Sequence, residues 1–315
     1  LVEAEALSDL ILAETEAQRR FAVAQAGGAQ SALYGRWREA LLHARAMVEA
    51  EIDFADEEDV PGSVSGQVWA DVAALVDALS AHLAAADRGR IMRTGFGIAL
   101  VGPPNAGKST LLNRLAGSDR AIVSPEPGTT RDIVEARLDL GGHLVVLADT
   151  AGLREAVGTV EAEGVRRARD RAGEADVVLY LSEDATFPPL GLDSDVTIWR
   201  VLTKLDTGYG VGSDEADFAI SSVSGSGIDA LVAAIEREVS NRIGRSDALA
   251  PGHARHVALL SDCRAYLIDS LSERQPLELR AESLRLAAEA LGRVTGHVDV
   301  EDMLGVIFGR FCIGK

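Results

Sequence analysis

The sequence is poor in lysine, cysteine and aromatic residues. Of its 31 basic residues only Lys108, Lys204 and Lys315 are lysine, so arginine supplies nearly all of the positive charge. We expect these three at sites that need a compact ammonium group, which a planar guanidinium cannot replace. Two cysteines are too few for a disulfide framework, which indicates a reducing compartment and a cytoplasmic protein. Aromatic residues make up 4%, so the core must consist mainly of alanine, leucine and valine.

Long apolar runs are also absent. No run approaches the roughly 20 residues of a membrane-spanning helix, and no signal peptide is visible, so we expect no membrane contact. The net charge of −18 opposes broad non-specific binding to nucleic acid, because phosphates repel a negative surface. The 315 residues allow two domains. The chain begins at Leu1 in helical register, and we expect it to be a fragment of something longer.

The first 92 or so residues show the spacing of helices. One is predicted to end at Gly27–Gly28, a second to cover Leu33–Ile52, and a third to stop near Arg88–Gly89. The acidic stretch 53–62 is typical of a solvated loop. Trp37 and Trp69 lie on apolar faces and are interpreted as core residues. The face of the first helix is predicted to carry Leu7, Leu10, Ile11, Ala17 and Phe21.

A phosphate-binding loop follows. Residues 102–109 read GPPNAGKS and fit G-x-x-x-x-G-K-[ST], between a predicted strand at Ile98–Val101 and a predicted helix at Lys108–Leu115. Successive N–H groups and the helix dipole favour an anion there. Lys108 is predicted to contact the β- and γ-phosphates, and the Ser109 hydroxyl to hold Mg²⁺. The predicted nucleotide contacts here are Asn105, Ala106, Gly107, Lys108, Ser109 and Thr110.

Two further phosphate-side motifs come next. The polar loop 121–132 contains Gly-Thr-Thr, whose Thr130 is predicted to close over the γ-phosphate and complete the Mg²⁺ shell. A predicted hairpin through Gly141–Gly142 then delivers D-T-A-G, whose aspartate could hold Mg²⁺ through water. The predicted contacts in these motifs are Ser124, Pro125, Glu126, Pro127, Gly128, Thr129, Thr130, Asp149, Thr150, Ala151 and Gly152.

The base-recognition motifs lie further along. Predicted strands at Val177–Leu181 and Val196–Leu202 lead into Thr203, Lys204 and Asp206 of T-K-L-D. An aspartate there can accept hydrogen bonds from the ring N–H and exocyclic amine of guanine, a pair that adenine does not offer. After a strand at Phe218–Ile220, the backbone of Ser221, Ser222 and Val223 could contact guanine O6. These motifs in this order predict a GTP-binding α/β domain.

The position after D-T-A-G departs from the Ras pattern. Ras-type GTPases place there a glutamine that orients the attacking water, whereas this chain has Leu153. Either another polar group completes the site, or the protein is a slow switch. The Asn105 side chain could coordinate a monovalent cation along the phosphates, where an arginine finger would otherwise place its charge.

Five stretches together resemble one family. GPPNAGKST, PGTTRD, DTAGLRE, EIDFADEEDVP and the terminal FCIGK are similar to those of MnmE (TrmE), the tRNA-modification GTPases that act with the flavoprotein MnmG at C5 of the wobble uridine. The resemblance implies an α/β P-loop GTPase domain, with a doubly wound and mostly parallel sheet, inserted into an all-α helical domain. The expected divisions are 1–92 (helical), 93–244 (GTPase) and 245–315 (helical). The tail would pack on the N-terminal helices through Leu259, Leu260, Leu267, Leu271, Leu284, Leu291, Met303, Leu304 and Ile307.

The resemblance also implies ligands and roles. K⁺ would bind Asn105 and the switch loop near Ser124, Glu126 and Thr129, and it would let the GTPase domains pair into a homodimer without an external arginine finger. Mg²⁺ would bind Ser109 and Thr130. Lys108 and Thr130 would take part in catalysis, and Glu161 would orient the attacking water. Cys312 would be a nucleophile or else a small hydrophobic residue. Formyl-tetrahydrofolate would pair with Lys315, and MnmG would supply most of the tRNA contact.

Two departures from the family change these expectations. Nothing here corresponds to the family's N-terminal domain, so we expect folate binding and stable dimerisation only of the full-length protein. Thr203 stands where the family usually has asparagine; we expect it to lose the amide that braces the phosphate loop and to weaken nucleotide binding. A ribosome-assembly GTPase and a nucleotide-dependent scaffold without fast turnover remain alternatives.

Overall fold

A computed structural model describes residues 1–53, 64–122, 135–149, 173–191, 196–208, 215–244 and 249–296. The chain divides into two compact units. The helical unit comprises Leu1–Ala13, Arg19–Arg93 and Ser246–Lys315, and the α/β unit comprises Glu14–Gln18 and Thr94–Arg245. Both ends of the chain therefore build one unit around an inserted second one. This confirms the expected insertion of an α/β domain into a helical domain.

Among the described elements, five helices precede the first strand, and three helices follow the last one. In chain order, these elements are α1 Val2–Leu12, α2 Glu16–Ala26, α3 Ala29–Asp53, α4 Val64–Leu83, α5 Ala86–Thr94, β1 Phe96–Val101, α6 Lys108–Ala116, β2 Glu135–Leu140, β3 His143–Asp149, β4 Val177–Ser182, β5 Thr197–Leu202, β6 Phe218–Ala219, α7 Ile228–Ile243, α8 Ala254–Ser270 and α9 Leu277–Thr295.

The core of the helical unit draws on distant parts of the chain. Helix α9 packs against α8 and α3, and α4 packs against α3 and α8. The apolar spacing of α3 and α4 places Leu41 and Leu79 in the same cluster as Leu260 and Leu291. Of the tail residues expected to pack there, Leu259, Leu260, Leu267, Leu284 and Leu291 are buried and Leu271 lies against the cluster, whereas Met303, Leu304 and Ile307 lie outside the described residues.

The first predicted helix is wrong as a single element, because the structure has two helices there. Gln18 Oε1 accepts hydrogen bonds from the Glu14 N–H (2.9 Å) and the Thr15 N–H (3.2 Å), and Thr15 Oγ1 accepts one from the Gln18 N–H (3.4 Å). This is a capping box, and its T-x-x-Q spacing at 15–18 was the signal that could have predicted the break. Because α1 ends before this capping box, it does not bury the predicted apolar face, and Leu7 and Ile11 are 55% and 83% exposed.

The predicted stop near Arg88–Gly89 is also wrong. Helix α4 ends at Leu83, and α5 then runs straight through Gly89 to Thr94. A Cβ at Gly89 would lie 2.5 Å from the Pro251 carbonyl oxygen. Glycine is needed here because two backbones approach closely, not because a helix ends.

One apolar helical stretch bears on the sequence expectation about membranes. Within the described residues, the stretch Gly66–Thr94 is long and apolar enough to cross a membrane by length and composition, since an 18-residue window within it has a mean hydropathy of 1.4. The expectation that no stretch approaches that length was therefore too strong. The indication is weak, because Val68, Val72 and Leu79 within it are buried in the helical core, and a core helix passes the same test.

The described residues of the α/β unit form a six-stranded sheet in the order β2-β3-β1-β4-β5-β6. Among these six strands, β2 is antiparallel to β3, to which the predicted hairpin joins it, and the other pairs are parallel. The continuous apolar run of β4 is buried along its whole length, as a central parallel strand requires. The mostly parallel sheet is confirmed. Because β1, β3, β5 and β6 run in one direction, the residues that follow them meet at one edge.

Candidate nucleotide-binding site

The phosphate loop lies between the end of β1 and the start of α6. Gly102 has a φ of +154°, and a Cβ there would lie 2.3 Å from the Leu181 carbonyl oxygen of β4. Gly107 precedes α6 in the left-handed conformation, with a φ of +88°. Both positions therefore require glycine, which lets the loop turn tightly against the sheet and aim the first N–H groups of α6 at one point.

Lys108 is the cation of this loop. Its side chain is buried, with 7% of the residue exposed, at the first position of α6. The Nζ donates hydrogen bonds to the carbonyl oxygens of Gly102 and Pro103, each at 2.8 Å. The ammonium group is thus held against the backbone of the loop itself, and it places a positive charge where the N–H groups of the helix already favour an anion.

Ser109 and Asp149 bring two hard oxygen ligands together. The Ser109 Oγ donates a hydrogen bond of 2.8 Å to Asp149 Oδ2. Asp149 ends β3 and is 2% exposed, so its carboxylate depends on such partners. A hydroxyl and a carboxylate are ligands that Mg²⁺ accepts, directly or through water, so these residues fit the ion that the sequence predicts.

Thr203 corrects the expectation that the phosphate loop loses its brace. Its Oγ1 donates a hydrogen bond of 2.8 Å to the Ala106 carbonyl oxygen, and it lies 3.2 Å from the Ser182 carbonyl oxygen. Thr203 is 2% exposed, so no water replaces these contacts. The hydroxyl takes over the bracing that asparagine was expected to provide, because the end of β5 approaches the loop closely enough for a short side chain.

The base-recognition residues form a second cluster. Lys204, with a φ of +59°, forms an ion pair with Glu183, which follows β4. Asp206 lies in a 3₁₀ turn and is exposed, and one of its carboxylate oxygens accepts a hydrogen bond of 2.5 Å from Ser221 Oγ. Asp206 is therefore oriented from the neighbouring loop while it stays open to a ligand.

The described phosphate-side and base-side residues thus lie at one edge of the sheet. The phosphate loop follows β1, Asp149 ends β3, T-K-L-D follows β5 and Ser221 follows β6. Direct hydrogen bonds join neighbouring motifs, from Ser109 to Asp149, from Thr203 to the phosphate loop and from Ser221 to Asp206. This arrangement can hold a phosphate chain at one end and a flat polar base at the other.

Comparison with known proteins identifies the family. A model described as the MnmE helical domain matches residues 1–312. The chain belongs to the MnmE family. The whole chain is 53% identical to tRNA modification GTPase MnmE of Mesorhizobium japonicum, 50% to that of Agrobacterium fabrum and 52% to that of Azorhizobium caulinodans, and in each case it covers 72% of the relative.

Solved structures give a weaker similarity. The crystal structure of a point variant of Era from Aquifex aeolicus, bound to GDP.AlF4-, is 24% identical, with a TM-score of 0.35, over 55% of this chain and 66% of that one. A similarity at this level carries no argument about the site.

Several residues that the motifs or the MnmE resemblance predicted for the site lie outside the described part of the chain. Their roles in the site stay predictions. These residues are Ser124, Pro125, Glu126, Pro127, Gly128, Thr129, Thr130, Thr150, Ala151, Gly152, Glu161, Cys312 and Lys315.

Sequence reasoning missed Glu183 and Arg114. Glu183 pairs with Lys204, and Arg114 contacts the carbonyl oxygens of Ser222 and Val223. Neither residue belongs to a recognisable motif, and both contacts join segments far apart in the chain. No local signal in the MnmE pattern could have indicated them.

Proposed function

We propose that this chain binds GTP at the described sheet edge and hydrolyses it, as an enzyme of tRNA modification. One observation carries the proposal: a buried lysine in a glycine-bounded loop lies at the same edge as an exposed, oriented aspartate. The first suits the phosphates of a nucleotide and the second suits guanine. Membership of the MnmE family supports the same conclusion.

At the phosphate end, this chain's residues would bind and orient. Lys108 Nζ, held by the loop carbonyls, would contact the β- and γ-phosphates, and Ser109 and Asp149 would hold Mg²⁺ together with Thr130. The bound ion would neutralise charge on the phosphate oxygens. Glu161 would accept a hydrogen bond from the attacking water, a role for which Leu153 has no polar atom.

At the base end, Asp206 would accept the ring N–H and the exocyclic amine of guanine. A carboxylate has about four acceptor positions, so the hydrogen bond from Ser221 Oγ leaves capacity for both. An adenine base would leave the carboxylate facing an acceptor, and this mismatch would select against ATP.

We further propose that hydrolysis is stimulated by K⁺ and by pairing of the α/β units of two chains. Asn105 supports this proposal, because it is exposed at the tip of the phosphate loop with a φ of +64°. Its side-chain oxygen would hold the cation with carbonyls near Ser124, Glu126 and Thr129. Such a cation would supply the positive charge that an arginine finger supplies elsewhere.

The tRNA reaction would need other components. The named relatives are tRNA modification GTPases, and we propose that this chain acts on the wobble uridine together with an MnmG-like flavoprotein. Its net charge of −18 favours a partner that makes most of the tRNA contact. The one-carbon donor would be formyl-tetrahydrofolate in the full-length protein, held near Lys315 and Cys312.

Phosphate release from GTP, measured in matched KCl and NaCl at several protein concentrations, tests the proposal. We expect faster release in KCl, a rate per molecule that rises with concentration, and loss of the KCl advantage in Asn105→Ala. Asn113→Ala is the matched control, since Asn113 is exposed on α6. Equal rates in both salts would refute the K⁺ proposal, and absence of GTP hydrolysis would favour the scaffold alternative. RNA that stays bound to salt-washed protein without the flavoprotein would favour a ribosome-assembly role.

A further inference from the structure

Arg114 joins the phosphate-loop helix to the loop that follows β6. It lies in the last turn of α6, six positions after Lys108. Its Nη1 lies 3.2 Å from the Val223 carbonyl oxygen and 3.4 Å from that of Ser222. The guanidinium also covers Gly225, where a Cβ would lie 2.5 Å from Nη2. Among the described residues, Arg114 makes no ion pair, so these carbonyls are its contacts.

Within the described part of the chain, the hydrogen bonds inside the loop 221–226 leave two backbone donors without an acceptor, the N–H groups of Ser222 and Val223. Ser221 N–H bonds to the Ser226 carbonyl oxygen (2.9 Å), and Gly225 N–H bonds to that of Ser221 (2.9 Å). Ser224 N–H bonds to Ser221 Oγ (3.1 Å). The structure gives the Val223 N–H no acceptor within the described part of the chain, and Val223 is 71% exposed.

Peptide geometry connects Arg114 to that donor. The described peptide bonds are trans, and in a trans peptide the C=O and the following N–H point in opposite directions. A guanidinium that holds the Ser222 C=O on one side therefore turns the Val223 N–H to the other side, away from α6. Arginine suits this task because Nη1 alone carries two N–H donors, one for each of the two adjacent carbonyls.

We propose that Arg114 is a positioning residue for guanine recognition, which holds the Ser222–Val223 peptide so that the Val223 N–H donates to O6 of the base. This inference rests on the proposed GTP binding. It assigns the polar groups of guanine to two parts of the site: Asp206 accepts hydrogen bonds from the ring N–H and the amine, and the peptide held by Arg114 donates one to O6.

The test uses diphosphates of three bases with the full chain: GDP, the 2-aminopurine riboside diphosphate, which lacks O6, and IDP, which lacks the amine. Arg114→Ala should weaken GDP and IDP equally, by about threefold to tenfold, the range for one hydrogen bond. Binding of the 2-aminopurine nucleotide should stay within about twofold, because it has no O6 to lose. Arg114→Lys, which keeps a donor and is the milder change, should lie between Arg114→Ala and the unchanged protein.

The control is Arg237→Ala, because Arg237 donates to Ala233 of its own helix and should leave all three affinities unchanged. Equal weakening of all three nucleotides by Arg114→Ala or Arg114→Lys would show a merely structural role and overturn the inference. Unchanged affinities would also overturn it. Failure of the unaltered protein to bind GDP would instead refute the proposed function.

Discussion

Thr203, which stands where the family usually has asparagine, shows that a different side chain in a motif can still brace the phosphate loop. Threonine lacks the side-chain amide of asparagine, so the residue type alone predicts weaker nucleotide binding. In the structure its hydroxyl reaches the Ala106 carbonyl oxygen and lies close to that of Ser182. A buried carbonyl without a donor is costly, so this hydroxyl contributes to the order of the phosphate loop.

Removal of that hydroxyl gives a first prediction. Thr203→Val keeps the shape but leaves the Ala106 carbonyl oxygen without this donor, so we expect a loss of about 1–3 kcal/mol in the free energy of unfolding of the α/β unit. GDP binding should weaken in parallel. Chemical denaturation and titration with GDP measure the two effects.

Thr207→Val is the control for this prediction. Thr207 donates a comparable bond of 2.8 Å to the Lys204 carbonyl oxygen, but it is exposed, so water can replace the bond. Equal stability losses in the two variants would contradict the bracing role of Thr203.

Helices α1 and α8 are joined by a polar cluster in which His256 is buried and Glu5 and Arg255 are half-buried. Glu5 accepts hydrogen bonds from Arg255 (2.9 Å) and from His256 Nε2 (2.8 Å). His256 is fully buried, its Nδ1 has no hydrogen-bond partner in the described structure, and His253 and Tyr34 lie beside its ring. Burial lowers the pKa of His256, because the charged ring would lose its solvation there. This effect, which the charges of Arg255 and His253 support, outweighs the opposing effect of Glu5.

This cluster predicts a dependence of stability on pH. Because the folded pKa of His256 lies below its ordinary value near 6.5, the unfolded chain binds a proton first as the pH falls. The free energy of unfolding of the helical unit should therefore decrease between pH 7 and pH 5. Burial raises the pKa of Glu5, but Arg255 and His256 together lower it below 4.5, so its contribution is lost only below that range.

Urea unfolding at pH 7, 6 and 5 checks this prediction. His256→Gln should reduce the decrease, whereas His43→Gln should preserve it, since His43 is exposed on α3. A His256→Gln variant that lost stability with pH as steeply as the unaltered protein would contradict the assignment.

The helical unit as a whole depends on both ends of the chain. Leu41 and Leu260 are fully buried in one cluster, although the whole α/β unit separates them in sequence. Cys263 belongs to the same cluster, and burial raises the pKa of its thiol to about 12, so it acts there as a small apolar side chain. A core of this kind forms only when the two ends meet.

We therefore expect Leu41→Ala and Leu260→Ala to destabilise the same unfolding transition, each by about 2–5 kcal/mol. In a Trp199→Phe background the remaining tryptophans, Trp37 and Trp69, both report on the helical unit, so their fluorescence follows that transition alone. Leu42→Ala is the control, because Leu42 is 37% exposed. A transition unchanged by Leu260→Ala would refute the shared core.

Several elements of the α/β unit could be predicted from residues that lie close together in the sequence. The strand before the phosphate loop, the helix from Lys108 and the hairpin through Gly141–Gly142 were all predicted, and the structure confirms them. Each depends on residues close in sequence, since a loop that curls around an anion and a two-residue turn need particular residue types at fixed spacing. The roles of the individual site residues stay predictions.

Contacts between distant segments decided the rest. Gly89 was expected to end a helix and instead lets Pro251 approach. Thr203 was expected to lose the brace of the phosphate loop, which its hydroxyl instead provides. Arg114 was not predicted at all. In each case the answer depends on which backbone lies opposite the residue, and that is settled when helices and strands pack. Residue type and spacing specify local conformation and the chemistry available, whereas close packing determines which groups meet.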